Sequence, residues 1–577
     1  MNSQIFHPFV LPFVLGMAFV LTYCVVGLLR VIGQLPKEDR KQFWRSLVTP
    51  KTMWANVRDL FGDCLFHVKI WKRNPVLGYM HTAIAFGWFM IIVIGHIMLF
   101  TLKPLEGIEA EGLALRFTNF YYPIFFKYFA EETPVFAFLM DFFLLMIISG
   151  ILIAVVKKIH SKIVGVKRIM HFGFADNMIR FALWTIFPFR LIAEKTNIMA
   201  FWWLYSIDLL VFMVMLPFTR YMHIPTEALF ILLRHAGLKP REPRKGYALA
   251  QIYSCPSCGL CIDACPMSVN DKNSGNTSAY FMKRLRNDDR EESQRIAETC
   301  MQCGKCVAVC PVSIESCDIK MSQRESMPYQ IHSDHSYLAC MDTSNVSASN
   351  APVLYFAGCM TQLTPKIMRA MKQIMEAAGE KYEFLDKDGG VCCGRPMLLS
   401  GKTAEAQAMI AKNIDLIKKS GAKRLVLSCP ICYKVFKEEY QLEGIEILHH
   451  TQYINELVKK GKLKVDKNNV NYVYHDPCEL GRAFGVYDEP REVIESIGNL
   501  RKAKSEKELS ICCGGSLGSF NLTQQERDEI TVNSVNDLMY NHPDEIVTAC
   551  PLCLKTFARK SPVAVKDIAE VVASQLK

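Results

Sequence analysis

Ten cysteines between residues 359 and 553 form two sets of five with nearly equal intervals. The first set is Cys359, Cys392-Cys393 and Cys429-Pro-Ile-Cys432, with 32 and 35 residues between its groups. The second is Cys478, Cys512-Cys513 and Cys550-Pro-Leu-Cys553, with 33 and 36. Agreement within one residue over ten thiols excludes an accident of composition. Thiolates are soft ligands that select iron–sulfur clusters, zinc or Cu(I), and five in one place are too many for a single cubane or a single zinc ion. Disulfides are the competing use, but they do not persist in a reducing cell interior.

Upstream, eight more cysteines form two runs. Cys255-Pro-Ser-Cys258-Gly-Leu-Cys261-Ile-Asp-Ala-Cys265-Pro266 is repeated as Cys300-Met-Gln-Cys303-Gly-Lys-Cys306-Val-Ala-Val-Cys310-Pro311. This is two-cluster ferredoxin spacing, in which the fourth cysteine of each run ligates the other cluster. One [4Fe–4S] cubane is therefore assigned to Cys255, Cys258, Cys261 and Cys310, and the other to Cys300, Cys303, Cys306 and Cys265. A pair of zinc knuckles is the alternative, and a ligand set without histidine speaks against it. The spacing of Met282, Leu285 and Ile296 predicts a helix over Thr277–Thr299, as in the helical ferredoxins found beside quinone-linked enzymes.

The elements that must position the ten thiols repeat as well. In the first copy strands are expected at 353–357, 381–385 and 424–428, with helices at 365–378 and 403–419; in the second, strands are expected at 471–475, 508–511 and 545–548. Each cysteine group then falls beyond the carboxyl end of a strand, where α/β sheets assemble sites. The pattern resembles the cysteine-rich CCG domains of heterodisulfide reductases at all five positions of both copies. That resemblance implies one noncubane [4Fe–4S] cluster per set, with the ten cysteines as catalytic and metal-binding residues and disulfide cleavage by one-electron steps.

The first 235 residues have another composition. The chain has 577 residues, 50% of them hydrophobic, and a formal net charge of +11. Its long apolar runs lie before residue 236, at about 8–29, 79–102, 134–156, 175–193 and 199–219, and about 20 apolar residues suffice to span a bilayer. The fourth run is the least apolar, holding Arg180, Pro188 and Arg190. No cleavable signal peptide is expected, because the first run is followed by basic residues and no small-residue cleavage site.

Nine basic residues from Lys37 to Arg73, against four acidic ones, lie between the first two runs, and Lys157, Lys158, Lys162, Lys167 and Arg168 follow the third. The loop over 104–132 carries Glu106, Glu109, Glu111, Glu131 and Glu132 instead. The positive-inside rule then sets the N-terminus outside and the iron–sulfur half in the cytoplasm. The basic excess reflects topology and lipid contact, so nucleic-acid binding is not indicated.

Histidines within or beside these spans are candidate haem ligands. His81 lies near the inner end of the second span, with His96 15 residues on, which is roughly 22 Å along a helix. His223 follows the fifth span. The runs Gly95-His96-Ile-Met-Leu-Phe-Thr-Leu-Lys-Pro104, Trp202-Trp203-Leu204-Tyr205 and Met222-His223 resemble the ligand regions of the cytochrome b of the respiratory nitrate reductase gamma family. That family's five spans and two stacked haems imply an inner haem b on His81 and His223. Tyr205 stands where the pattern has a histidine, so three arrangements of the outer site stay open: one axial bond from His96, a weak ligand in Tyr205, or no haem.

Cys24, Cys64, Cys317 and Cys340 fit no set and read as ordinary thiols. His449, His450 and His475 are candidates for protonation near the second set, with structural roles as the alternative. No glycine-rich phosphate loop follows a strand, so bound FAD, NAD or ATP is not indicated. The expected fold is mixed: a five-span all-α membrane cytochrome b bundle (1–235), a helical two-cluster ferredoxin domain (236–325), a linker (326–350) and tandem α/β CCG domains (351–465 and 466–577). Fused chains of this composition resemble electron-transfer flavoprotein:menaquinone oxidoreductases. The expected function is therefore electron exchange between the menaquinone pool and a cytosolic partner, most simply an electron-transfer flavoprotein. Reduction of a thiol/disulfide substrate and a relay role in a larger anaerobic respiratory complex are the alternatives.

Overall fold

The computed structural model describes residues 8–101, 134–159, 173–196, 198–327, 351–387 and 391–577. The acidic loop over 104–132, the basic residues Lys162, Lys167 and Arg168, most of the linker and Cys340 lie outside the described residues. The chain divides into two compact units, one of Met1–Gly259 with Pro311–Ile314, the other of Leu260–Cys310 with Glu315–Lys577.

The first unit is helical, with long helices at Leu11–Gly33, Pro75–Thr101, Pro134–Ile159, Phe174–Thr196 and Met199–Met215. Small residues let them approach: a Cβ added to Gly87 would meet Ile147 at 2.6 Å, and one added to Gly150 would meet the Met80 carbonyl at 3.0 Å. Close approach through glycine is how helices associate in lipid. Their outer faces present apolar side chains such as Leu29, Phe138 and Leu145. Among the described residues four helices are long and apolar enough to cross a membrane: Pro8–Gly33, Pro75–Ile97, Pro134–Lys157 and Met199–Phe218. The fourth expected span does form a helix, but Phe174–Thr196 carries Asp176, Arg180, Arg190, Glu194 and Lys195 and lacks the apolar composition of the others. Arg190 and Glu194 are buried together at 3.4 Å, so charge is taken into the protein there. On these four helices the chain is a membrane protein.

In the second unit the ferredoxin segment is a set of short helices. The single helix expected over Thr277–Thr299 is two, Ser278–Arg286 and Arg290–Thr299. Asp288 breaks it by taking a left-handed φ of 59°, and Asp289 then caps the second helix by accepting from the Glu292 N–H. Each cysteine-rich domain holds a four-stranded parallel sheet. The first has strands β1 (Val353–Phe356), β2 (Tyr382–Phe384), β3 (Arg424–Leu427) and β4 (Glu446–His449) in the order β2-β1-β3-β4. The second repeats it with β5 (Asn471–His475), β6 (Asn499–Arg501), β7 (Glu545–Thr548) and β8 (Ala564–Asp567) in the order β6-β5-β7-β8.

The strand expected at 508–511 is instead a 3-10 turn at Lys507–Leu509, and β6 takes its place beside β5. A parallel neighbour must follow its crossover helix directly. Asp488–Ile497 ends at Gly498, one residue before β6, while Lys507 holds a left-handed φ of 53° that a strand does not tolerate. Arg324, fully buried, ties the second unit together. Its guanidinium donates to the carbonyls of Ala297 and Cys300 in the ferredoxin segment, of Leu399 in the first cysteine-rich domain and of Gly518 in the second.

Candidate iron–sulfur centres

The parallel sheets bring each five-cysteine set together at their carboxyl ends. In the first set, thiol contacts run from Cys359 to Cys392 and from Cys392 to Cys393, then on through Cys432 to Cys429. The second set repeats the chain through Cys478, Cys512, Cys513, Cys553 and Cys550, with Cys513 and Cys553 3.2 Å apart. All ten are free thiols.

Local backbone is bent to admit them. Gly394 and Gly514, each following its cysteine pair, share a φ of 90°. Gly358 has a φ of 85°, and a Cβ there would lie 2.8 Å from the Cys432 sulfur. Only glycine accepts such angles without strain. The thiols also divide in acidity. Contacts from Cys392 and Cys432 draw Cys393 down to about 6 against the effect of burial. Cys512 and Cys553 hold Cys513 well below the usual thiol value. A thiolate is the ligating form, so each set carries a sulfur prepared for metal.

The ferredoxin thiols of the second unit gather in the same way. Cys303 lies against Cys512, whose contact draws it down to about 7; Cys265 is within charge range of Cys303 and Cys306. Cys317, read from sequence as an ordinary thiol, lies against both Cys300 and Cys306 and draws Cys306 down to about 5. The helix Ser316–Ser326, which begins six residues after Cys310, delivers it together with Lys320, whose ammonium is 3.5 Å from the Cys300 sulfur. Spacing of the eight motif cysteines carries no sign of this contact, since it depends on how that helix folds back. Cys261 and Cys310 are half-buried in this unit, whereas Cys255, buried, and Cys258, exposed, end the first unit.

The two five-cysteine sets are neighbours, with Cys550 within charge range of Cys429. A small cleft of about 40 Å³, partly open to solvent, is lined by all five thiols of the second set together with Met301, Glu479 and Ile431. His475, at the end of β5, lies within 4.8 Å of Cys513 and Cys553. Its Nδ1 is buried without a hydrogen-bond partner, as is Nη2 of Arg482 nearby. Orphaned donors beside five thiols suit a sulfur-rich cluster, which would accept from them. His450 bonds Asp567 at 3.1 Å and His449 bonds Thr451 at 2.9 Å, which are structural roles.

In the first unit His81 and His223 lie within charge range of each other. His223 Nδ1 contacts the Arg220 carbonyl at 2.8 Å. His67, not singled out from the sequence, stacks on His81 with ring centroids 5.3 Å apart. It lies in the loop before the second span, where a transmembrane pattern gives no signal. His96 turns Nδ1 onto its own helix at the Ile92 carbonyl, 2.7 Å away, and among the described residues no second imidazole meets it. Tyr205 is buried edge-on to Trp202, with the Arg190 guanidinium 5.7 Å from its ring centre. The space about Tyr205 is thus packed with aromatic and cationic side chains, which does not suit an outer haem.

Comparison with known proteins agrees with this geometry. The cysteine-rich (CCG) domain family matches residues 353–437 and 472–558, and the 4Fe-4S dicluster domain family matches 251–314. The EtfAB:quinone oxidoreductase of Syntrophomonas wolfei is 32% identical over 240 residues, 38% of this chain and 34% of that protein. A component polypeptide of the dihydromethanophenazine:CoB–CoM heterodisulfide reductase of Methanosarcina barkeri is 29% identical over 243 residues, 39% of this chain and 59% of that one. A component of the CoM/CoB fumarate reductase of Methanothermobacter marburgensis is 25% identical over 56% of this chain and 71% of its own. The chain thus spans about a third of the first relative's length and under two thirds of the second's. With a match to the 4Fe-4S dicluster domain family followed by two matches to the cysteine-rich domain family, the chain is similar to that heterodisulfide reductase component and to EtfAB:quinone oxidoreductase.

Proposed function

We propose that this chain moves electrons between the menaquinone pool and a cytosolic redox partner, and that an electron-transfer flavoprotein is the partner that fits best. The observation that carries the reading is the run of thiol contacts from Cys303 to Cys512 and on through the second set to Cys429 of the first. Chain order supplies the rest: a membrane half with its N-terminus outside, then the ferredoxin domain, then the cysteine-rich domains in the cytoplasm. Residues 1–235, read as a five-span cytochrome b, hold haem b between His81 and His223. One cubane [4Fe–4S] falls to Cys255, Cys258, Cys261 and Cys310, the other to Cys300, Cys303, Cys306 and Cys265, and a noncubane [4Fe–4S] to each five-cysteine set. Such groups supply one-electron steps when bound. The protein's own residues set their spacing, shield them from water and fix the hydrogen bonds that tune them.

A second reading, reduction of a small disulfide, is favoured by the cleft beside the five thiols of the second set. Vesicles holding the full chain and a reduced menaquinone analogue separate the two. Reduction of an added electron-transfer flavoprotein supports the first and turnover of a small disulfide the second, while a need for further proteins before any turnover supports a relay within a larger respiratory complex. Cys393→Ser or Cys513→Ser is expected to stop turnover while haem reduction by quinol continues. Iron analysis is expected to give about 16 cluster irons from four [4Fe–4S] units. A colourless protein binding zinc would overturn the proposal.

A further inference from the structure

Arg482 lies on the short helix Gly481–Phe484, four residues after Cys478. Its Nε donates to the Cys303 carbonyl at 2.6 Å, and Nη1 donates to the Ser510 carbonyl at 2.7 Å. These two bonds clamp the ferredoxin segment to the loop that carries Cys512. The remaining nitrogen, Nη2, is out of contact with solvent and has no hydrogen-bond partner. The guanidinium is within charge range of Cys303, Cys478 and Cys512, and among the described residues it pairs with no carboxylate.

Among the described residues the first five-cysteine set has no such group. Four residues after Cys359 stands Leu363, whose side chain is exposed. The guanidinium nearest that set, Arg395, is neutralised by Glu479 at 2.6 Å. Two sets alike in their thiols therefore differ in the charge beside them.

We propose that Arg482 is a positioning residue that couples the ferredoxin domain to the second five-cysteine set, and that its free Nη2–H donates to a sulfur of the cluster held there. This rests on the reading that the set holds a [4Fe–4S] cluster. A hydrogen bond and an uncompensated positive charge both stabilise the reduced, more negative state of such a cluster. The second set is thereby made a better electron acceptor than the first, and the cluster sharing Cys303 is kept in register with it.

The test is a redox titration, followed by EPR, of the full-length protein carrying Arg482→Met or Arg482→Lys, with iron measured on each sample. In Arg482→Met the second-set signal is expected to need about tenfold more reductant drive, a shift of roughly 59 mV to lower potential for a one-electron couple. The first-set signal is expected to stay in place. Arg482→Lys, which keeps the charge without the fork, is expected to recover most of the potential. An unshifted second-set signal in iron-replete Arg482→Met overturns the proposal, as does an equal shift in both sets. Should Arg482→Met lose iron, an Arg482→Lys protein with iron retained and its second-set potential moved as far as tenfold overturns it too. Absence of a second-set signal in the unmodified protein would instead refute the underlying reading of the site.

Discussion

Arg395 of the first cysteine-rich domain donates to Glu479 of the second across 2.6 Å, with 7% and 13% of their side chains exposed. Each adjoins a thiol group: Arg395 is two residues beyond Cys393, and Glu479 directly follows Cys478. The pair thus sets the distance between the two cysteine sets. Removing one member leaves the other charge buried and unpaired, which costs about 3–5 kcal/mol, whereas replacing both with apolar residues is often neutral. Arg395→Ala is expected to lower the thermal midpoint of the full chain markedly, and Arg395→Met combined with Glu479→Leu to recover most of it. Scanning calorimetry of the three proteins checks this.

Gly358 is expected to be irreplaceable for the first set. Alanine at a φ of 85° is strained by about 1–2 kcal/mol, and its Cβ would stand 2.8 Å from the Cys432 sulfur. That sulfur must move. Gly358→Ala is expected to lose iron from the first set alone, leaving the other EPR signals unchanged.

Why is so much of this site legible in the sequence, and where does legibility end? Thiol intervals report the chain length between strand ends, so Cys359 to Cys432 and Cys478 to Cys553 group together before any fold is known. The fourth strands, β4 and β8, follow the last cysteine of each set and carry no ligand to mark them. The position of β6 is not readable in the same way: Glu508–Ile511 leads into Cys512 as a strand should, while the true strand is set by the end of the helix before it. Cys317 and His67 act through contacts across the fold, which spacing along the chain does not encode. Tyr205 stands out in the sequence as a departure from the histidine pattern, but only packing shows Trp202 and Arg190 filling its surroundings.

Asp386 gives the first domain a pH dependence. Its carboxylate accepts from the Ala357 N–H at 2.8 Å and the Gly358 N–H at 2.7 Å. Burial pushes it up to about 6, against the pull of those two donors. The folded state therefore holds this proton more tightly than the unfolded chain. Its contribution is full below about pH 4 and is lost as pH rises through 6, by about 3 kcal/mol in all. Asp386→Asn, which titrates nowhere in this range, is expected to be more destabilising relative to wild type at pH 4.5 than at pH 7. Urea midpoints of both proteins at the two pH values check the sign.

His475 offers a substitution that the protein itself has already made. It stands three residues before Cys478, as Phe356 stands three before Cys359. Its ring meets Phe557 edge-on at 4.7 Å, and Phe356 meets the equivalent Phe436 at 5.2 Å. His475→Phe therefore has a packing precedent one domain away and is expected to cost under about 1.5 kcal/mol. What it removes is an imidazole that burial keeps neutral, although Cys513 pulls the other way, and whose Nδ1 has no protein partner. Loss of a group that supports a metal site typically costs 10–100-fold in affinity or activity. The variant is expected to fold, to keep the first-set EPR signal, and to show an altered second-set signal with turnover lowered about 10- to 100-fold. A second-set signal identical to wild type would reduce His475 to a packing residue.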